Sequence, residues 1–305
     1  MTGRPDPVLV TGLPRSGTTW LARELTRAPG VALAGREPMN PRGKQFALGG
    51  AVTGWTRLGS DAPPEVRRLV RRVYRGWEPR VYSRYGVRQW SAPLPRTRLV
   101  VKDPFALLSL PFLTEVTGAT AVVLFRHPAA MLQSYRRMGW SPAVAEARAL
   151  GLASPDGSEP PDVDDPVASM AWFWSACYQT VLGDLDRVPH AVVVDHAELS
   201  HAGEHGVRRV AEACGLGTRR LAPANRSRSR LAVPGARGAG RAKPPLHNFE
   251  RTAEEVTHGW REALPQGEAE RMESLTATTW SALRTRRLAL DTDMDQNDLR
   301  RGARG

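Results

Sequence analysis

The stretch PVLVTGLPRSGTTW, from Pro7 to Trp20, decides the fold. Its first residues form an apolar run that is typical of a buried strand, and a helical pattern begins at Thr18. Gly12 and Gly17 have the Gly-x-x-x-x-Gly spacing of a phosphate-binding loop. A strand that runs through such a loop into a helix points backbone N–H groups and the positive end of the helix dipole into one concavity. The stretch therefore predicts an anion-binding loop.

The loop lacks the lysine that follows the second glycine in P-loops that bind ATP or GTP. Thr18 stands in that position, and Arg15 places a cation inside the loop instead. Because that lysine reaches the β- and γ-phosphates, a loop without it should hold a phosphate but serve phosphoryl transfer poorly. The alternative interpretation is a tight strand-to-helix turn without a ligand.

Short apolar runs alternate with longer helical patterns along the chain, which indicates βαβ units. We predict an α/β fold, namely a P-loop-like three-layer domain with a central parallel sheet flanked by helices. The predicted strands are 7–12, 99–102, 120–125 and 191–195, and the predicted helices are 18–27, 128–138, 166–186, 203–214 and 268–286. Residues 40–65, 76–98, 151–165 and 222–246 are expected to be irregular. We predict one domain over residues 1–290 and a flexible tail over 291–305.

The run from Pro14 to Trp20 resembles the 5′-phosphosulfate-binding loop of the sulfotransferases. That family transfers a sulfuryl group from 3′-phosphoadenosine 5′-phosphosulfate to an acceptor. The resemblance implies that the 5′-phosphosulfate is surrounded by Arg15, Ser16, Gly17, Thr18, Thr19 and Trp20.

A second candidate anion site follows the predicted strand 120–125. Arg126 comes at the carboxyl end of this strand, where ligands bind in open α/β sheets, and Ser134 follows two turns into a helix. The forked donors of an arginine and a helix serine can converge on one phosphate. The pair resembles the sulfotransferase motif for the 3′-phosphate of the donor, and the alternative is a surface arginine with an ordinary helix serine. The basic run 237–243 is only loosely similar to a loop that also reaches this phosphate in cytosolic members.

The acceptor must lose a proton, so the site needs a general base. Many cytosolic sulfotransferases carry a Lys-Thr-His strand end with the histidine as base, but here Lys102 is followed by Asp103 and Pro104. The resemblance keeps Lys102 and Arg15 as catalytic contacts to the phosphosulfate. We predict Glu37 as the base, because its Glu-Pro pair resembles the carbohydrate sulfotransferase branch, which includes bacterial members.

Asp103 is the alternative base, although a structural carboxylate paired with an arginine is the simpler interpretation. Pro38 is expected to bias Glu37 toward an extended backbone. Residues Trp77, Tyr82, Tyr85 and Trp90 are candidates for an acceptor wall, since aromatic faces suit ring systems. The aromatic run 172–174 is expected to be core. His127 is expected to be a structural neighbour of Arg126, and His247 is a weaker candidate for lining the site.

The net charge of +12 fits an anionic ligand, but most basic residues are arginine, which GC-rich codon bias also explains. Neither Cys177 nor Cys214 has disulfide or metal-ligand spacing, so we predict a cytoplasmic protein without a metal. No apolar run is long enough to span a bilayer, and no signal peptide is recognised. The expected acceptor is a small molecule, carbohydrate or secondary metabolite.

Two other functions stay open. A P-loop kinase or NTPase would use the same loop, although the missing lysine argues against it. A non-catalytic nucleic-acid-binding protein would use the arginines. The sequence contains no recognition helix, zinc finger or aromatic RNA platform, so we predict no nucleic-acid partner.

Overall fold

The computed structural model describes residues 4–42, 46–82, 88–155, 157–161, 164–217 and 259–290. Within these ranges, one parallel sheet is formed by β1 (Val8–Thr11), β2 (Val31–Ala34), β3 (Arg98–Lys102), β4 (Thr120–Phe125) and β5 (Val192–Asp195). The strand order is β2-β3-β1-β4-β5. The predicted central parallel sheet is therefore confirmed.

The described helices are α1 (Thr18–Leu25), α2 (Pro64–Tyr74), α3 (Leu110–Thr117), α4 (Pro128–Met138), α5 (Val144–Ala149), α6 (Pro166–Asp184), α7 (His196–Ala213), α8 (Gly259–Ala263) and α9 (Gln266–Arg286). Short 3₁₀ helices cover Ala47–Gly50, Pro79–Val81, Gln89–Ser91, Pro104–Ser109 and Leu185–Arg187. No described helix has the length and apolarity that crossing a membrane requires.

The sheet is buried on both faces because its strands consist almost entirely of apolar residues. In β1, Leu9 packs into one core, which includes residues of α2, α3, α4, α6 and α9. Its neighbours Val8 and Val10 point to the opposite face and pack with α1 and α7. Side chains of a strand alternate between its two faces, so one apolar strand serves two cores. The result is the predicted three-layer, P-loop-like α/β arrangement.

The four predicted strands are confirmed, and so are the helices that begin near Thr18, Pro128, Pro166 and Gln266. The predicted helix 203–214 corresponds to the part of α7 that follows Gly203, whose φ of 53° and ψ of −127° interrupt the helix. The preceding helical residues from His196 were not predicted, and the Asp195 carboxylate caps them by accepting the Ala197 N–H at 2.8 Å. Four described helices and one strand were not predicted, namely α2, α3, α5, α8 and β2.

The described parts of the predicted irregular segments 40–65 and 76–98 contain short 3₁₀ helices, the first two residues of α2 and Arg98, the first residue of β3. The described part of 151–165 contains no helix or strand. The basic segment 222–246 and the tail 291–305 lie outside the described residues. The extent of the domain stays a prediction. Cys177 and Cys214 are both buried and unpaired.

Candidate active site

The loop between β1 and α1 lies at the carboxyl edge of the sheet. The chain leaves β1 toward β2 and β3 on one side, and later crosses to β4 on the other, so the loop lies at the topological switch point, where open α/β sheets bind ligands. Gly12 has a φ of 147°, and a Cβ there would lie 2.2 Å from the backbone oxygen of Leu124. Only glycine allows the loop to approach β4 this closely.

Gly17 forms the N-cap of α1 with a φ of 96° and has no side chain to accept from the helix N–H groups. Arg15 also adopts a positive φ, 78°, which is uncommon for a residue with a Cβ. Such backbone strain persists where the surrounding structure enforces it, and it often occurs at functional sites. The predicted loop therefore has the free helix terminus of an anion cradle.

Two buried residues contact the loop and fix its position, and neither was predicted from the sequence. The Tyr178 hydroxyl accepts the Leu13 N–H at 3.2 Å and donates to the Leu124 carbonyl at 2.6 Å. The His196 ring lies so close to Gly17 that a Cβ on Gly17 would be 2.4 Å from the imidazole Cδ2. Burial lowers the pKa of His196 well below its ordinary value, so this support is an uncharged imidazole at neutral pH.

The residues of the two predicted phosphate motifs meet. The Arg15 guanidinium donates through Nε to the Ser134 hydroxyl at 3.0 Å, and Arg126 donates to the Arg15 carbonyl oxygen at 3.1 Å. Trp174 in α6 fixes Arg126 in turn, since its indole N–H donates to the Arg126 carbonyl at 3.1 Å. Three residues, which lie in the loop after β1, directly after β4 and in α4, thus form one polar cluster.

Glu37 and Lys102 lie at the ends of neighbouring strands. Ala34 of β2 is in register with Val101 of β3, so the residues that follow each strand emerge at the same edge. The Glu37 carboxylate contacts the Lys102 ammonium group and also accepts from the Asn40 side chain. The Lys102 side chain is 7% exposed and that of Glu37 is 21% exposed, so the ion pair is shielded but reachable.

The prediction of an extended Glu37 is wrong. Its φ is 51°, in the left-handed region, despite the proline that follows. The Asn40 N–H donates to the Glu37 carbonyl at 3.0 Å, which closes a tight turn over this segment. The turn and the ion pair with Lys102 together override the local preference before proline.

Asp103 is a buried structural carboxylate. One of its oxygens accepts the Met39 N–H at 2.5 Å and the other accepts the Phe105 N–H at 3.0 Å. Its partners are backbone N–H groups, whereas the sequence interpretation had suggested an arginine. Burial, helped by the nearby Glu37 carboxylate, raises the pKa of Asp103 to about 7. Asp103 thereby fastens the segment that carries Glu37 to the end of β3.

A cavity of about 1150 Å³ opens above these groups. Its polar and charged lining includes Arg15, Thr18, Thr19, Glu37 and Lys102. Its aromatic lining consists of Trp55, Tyr82, Phe105, Tyr135, Trp140 and Phe173.

Of the predicted aromatic wall, Tyr82 lines the cavity. Trp77 and Trp90 are 51% and 88% exposed and are not among the described lining residues. Tyr85 lies outside the described residues, as does His247. The aromatic run 172–174 is buried, which confirms its assignment to the core, although Phe173 also borders the cavity. Trp20 packs against the core beneath α1 and is not among the described residues that line the cavity.

His127 is half-buried beside Arg126, as expected of a structural neighbour. Its ring stacks on Trp260, with centroids 4.4 Å apart. Burial and the nearby Arg261 and Arg126 lower the pKa of His127 to about 4. Across the described part of the chain, no cluster of three or more His, Cys, Asp or Glu side chains could hold a metal ion.

The model of the sulfotransferase family matches residues 7–219, which is more than half of the chain, and the chain therefore belongs to this family. A search of curated proteins gave no match.

Several solved structures are similar to the chain. The sulfotransferase domain from the Synechococcus PCC 7002 olefin synthase is 16% identical, with 91% of this chain and 95% of that chain covered and a TM-score of 0.49. A sulfotransferase from Alicyclobacillus acidocaldarius is 14% identical, with 93% and 100% covered and a TM-score of 0.41. Sulfotransferase STF1 from Mycobacterium tuberculosis H37Rv is 15% identical, with 90% and 77% covered and a TM-score of 0.39. These TM-scores are low, so the family assignment rests on the sequence match.

Proposed function

We propose that this sulfotransferase moves a sulfuryl group from 3′-phosphoadenosine 5′-phosphosulfate to a hydroxyl or amine of a small-molecule acceptor, with Glu37 as the general base. The observation that carries the proposal is the Glu37–Lys102 ion pair, which lies on the wall of the cavity that the phosphate loop also borders. A base, a cation and an anion cradle are the three groups that sulfuryl transfer requires.

The polar cluster of Arg15, Arg126 and Ser134 supports a donor with two phosphate groups. In this proposal the loop N–H groups, Arg15, Thr18 and Thr19 hold the 5′-phosphosulfate, and Arg126 and Ser134 hold the 3′-phosphate. The 3.1 Å hydrogen bond from Arg126 to the Arg15 carbonyl supports this division, because it ties the second motif directly to the loop. Arginine suits both positions, since its forked donors match phosphate oxygens.

The chemical step balances as follows. The acceptor oxygen forms a bond to sulfur while its proton passes to the Glu37 carboxylate. The bond between sulfur and the oxygen of the 5′-phosphate breaks, and its electron pair stays on that oxygen. Lys102 stabilises the negative charge that develops there. To do so, its ammonium group leaves the Glu37 carboxylate and contacts the donor during the reaction. The products are a sulfate ester and adenosine 3′,5′-bisphosphate.

The structural roles of the two carboxylates support Glu37 over Asp103 as the base. Both oxygens of Asp103 already accept buried backbone N–H groups, and Asp103 is not among the described lining residues of the cavity. Glu37 lines the cavity. A base must lie within hydrogen-bond reach of the acceptor, and an open position in the cavity wall meets this requirement. The likeness to the carbohydrate branch and the cytoplasmic location stay predictions.

The proposal is tested by a transfer assay with donor labelled in the sulfuryl group. The protein is incubated with a panel of phenols, sugars, amines and cell extracts, with and without EDTA, because Arg15 and Lys102 can supply the charge compensation of a metal. We expect label to pass to at least one acceptor class and EDTA to have no effect. Transfer of phosphate from ATP instead would favour a kinase and contradict the proposal.

A further inference from the structure

Within the described residues, some of the charged side chains around the cavity have a hydrogen-bond or ion-pair partner and one does not, and this difference indicates what the acceptor carries. The cavity wall carries the cations Arg15, Arg36, Arg42 and Lys102 and the anions Glu37 and Glu146. Lys102 is paired with Glu37, and Arg42 donates to the Glu146 carboxylate at 2.8 Å. Arg15 belongs to the polar cluster beside the loop.

Arg36 is the remaining cation on this wall. Its backbone N–H donates to the Val81 carbonyl at 2.9 Å, which fixes the main chain at this point. Its guanidinium group has no hydrogen bond or ion pair with any residue in the described ranges, and the residue is exposed. A positive charge next to Glu37 in sequence and on the same cavity wall is thus available to a ligand.

The cavity lining also has an aromatic part. Trp55 packs against Phe105, with centroids 4.7 Å apart, and against Phe173, with centroids 5.7 Å apart. The Glu146 carboxylate accepts the Trp55 backbone N–H at 2.7 Å and also binds the Arg42 guanidinium group. One carboxylate therefore connects the aromatic and the cationic parts of the wall. Trp55 and Phe105 are 6% and 5% exposed, so packing fixes the positions of their rings.

We infer that the acceptor is an aromatic or similarly flat hydroxyl compound that carries a carboxylate, with the ring system against Trp55 and Phe105 and the carboxylate at Arg36. The inference rests on the proposed function, since it identifies the molecule whose hydroxyl faces Glu37. Aromatic faces favour flat apolar bodies, and the guanidinium group pairs with a carboxylate through two parallel hydrogen bonds. An uncharged sugar would leave the Arg36 charge without a partner and the aromatic wall less well covered.

The test uses two probes that differ in one group, 6-hydroxy-2-naphthoate and its uncharged carboxamide. Binding of each probe is measured by calorimetry, both with and without adenosine 3′,5′-bisphosphate. Transfer of labelled sulfuryl to each probe is measured separately. The variants are Arg36→Gln and the control Arg68→Gln, which removes the same charge from an exposed position on α2, away from the described cavity lining.

We expect the natural chain to bind the carboxylate about fivefold more tightly than the carboxamide, the upper range for an ion pair with an exposed arginine. Arg36→Gln should abolish this preference, and Arg68→Gln should preserve it. The inference is overturned if neither probe binds, if both bind equally to the natural chain, or if the preference survives Arg36→Gln.

The two proposals fail separately in this design. An Arg36-dependent preference in binding without transfer of label to either probe would support the acceptor class and count against sulfuryl transfer. Transfer of label to both probes at the same kcat/KM would support sulfuryl transfer and overturn the acceptor class.

Discussion

The carboxylate of Glu37 lies against the ammonium group of Lys102, although 65 positions separate the two residues in the sequence. The contact arises because Glu37 follows β2 and Lys102 ends β3, and these strands are parallel neighbours. Asp103 strengthens the arrangement, since its carboxylate holds the Met39 N–H at 2.5 Å. The position of the proposed base is therefore set by the sheet and by a buried anchor, and not by the loop alone.

Glu37→Gln should lower kcat by at least about 100-fold, the lower end for loss of a general base. The amide keeps the size of the side chain, and its oxygen can accept from Asn40, but Lys102 loses its charged partner. The protein should therefore still fold and bind the donor, with somewhat lower stability. Single-turnover kinetics with the labelled donor measure the chemical step, and calorimetry with adenosine 3′,5′-bisphosphate measures donor-site affinity.

Glu159→Gln is the matched control, since it makes the same change at an exposed position away from the described cavity lining. Its turnover should equal that of the natural chain. A folded Glu37→Gln protein that binds the bisphosphate and turns over normally would remove Glu37 from the role of base.

Asp103→Asn should mainly destabilise the protein. The Asp103 oxygens accept two buried backbone N–H groups, and an amide has one oxygen, so one N–H loses its acceptor. Leaving a buried donor unsatisfied costs about 1–3 kcal/mol of unfolding free energy. Denaturant unfolding measures the loss, with Asp61→Asn on the exposed surface as the control. Normal stability combined with lost turnover would instead identify Asp103 as the base.

Arg126→Ala should separate the two phosphates of the donor. Removing an arginine from a buried anion costs on the order of 2–5 kcal/mol, so binding of adenosine 3′,5′-bisphosphate should weaken strongly. Adenosine 5′-monophosphate lacks the 3′-phosphate, and its affinity should change much less. Calorimetry with both nucleotides measures the difference.

Arg148→Ala, at an exposed position on α5, is the control for the general loss of positive charge. It should leave both affinities unchanged. Equal losses for the two nucleotides in Arg126→Ala would show that Arg126 does not recognise the 3′-phosphate.

His127 should make the protein less stable in mild acid. Its folded pKa is lowered to about 4 by burial and by Arg261 and Arg126, whereas the unfolded chain titrates near 6.5. Between these values the unfolded state binds the proton and the folded state does not, so stability is lost as pH falls. From pH 7 to pH 5 this amounts to at most about 2 kcal/mol.

The loss is measured by denaturant unfolding at both pH values. His127→Gln should show a smaller loss than the natural chain, and His205→Gln, at an exposed position, should show the same loss as the natural chain. An unchanged pH dependence in His127→Gln would mean that the Glu273 carboxylate, 3.7 Å from the ring, already compensates the charge.

The sequence was sufficient to predict the parts of the fold that have strong local signals. The apolar runs of β1, β3, β4 and β5 and the glycine loop are all of this kind. It was insufficient for β2, because two of the four residues in Val31–Ala34 are alanine, which has a low strand propensity, so its strand character depends on pairing with β3. The missing strand matters, since it is what brings Glu37 to the edge of the sheet.

The site shows the same division between local and long-range information. Arg15, Arg126 and Ser134 were identified from motifs, and their meeting follows from the parallel sheet. The sequence around Tyr178 and His196 contains no motif that predicts their role, because each supports the loop only through a contact with residues that are distant in sequence. Trp55 and Phe105 were missed for the same reason, since the partners that make them a cavity wall lie far apart in sequence.

The nucleotide preference of the unmodified chain tests the proposed donor most directly. Calorimetry compares adenosine 3′,5′-bisphosphate with ATP in the presence of Mg²⁺, because the loop lacks the lysine that ATP requires and we propose that Arg126 binds a second phosphate. We predict that the bisphosphate binds at least about tenfold more tightly, given the energy of one arginine–phosphate contact. Tighter binding of ATP with Mg²⁺, or no binding of the bisphosphate, would contradict a 3′-phosphoadenosine donor.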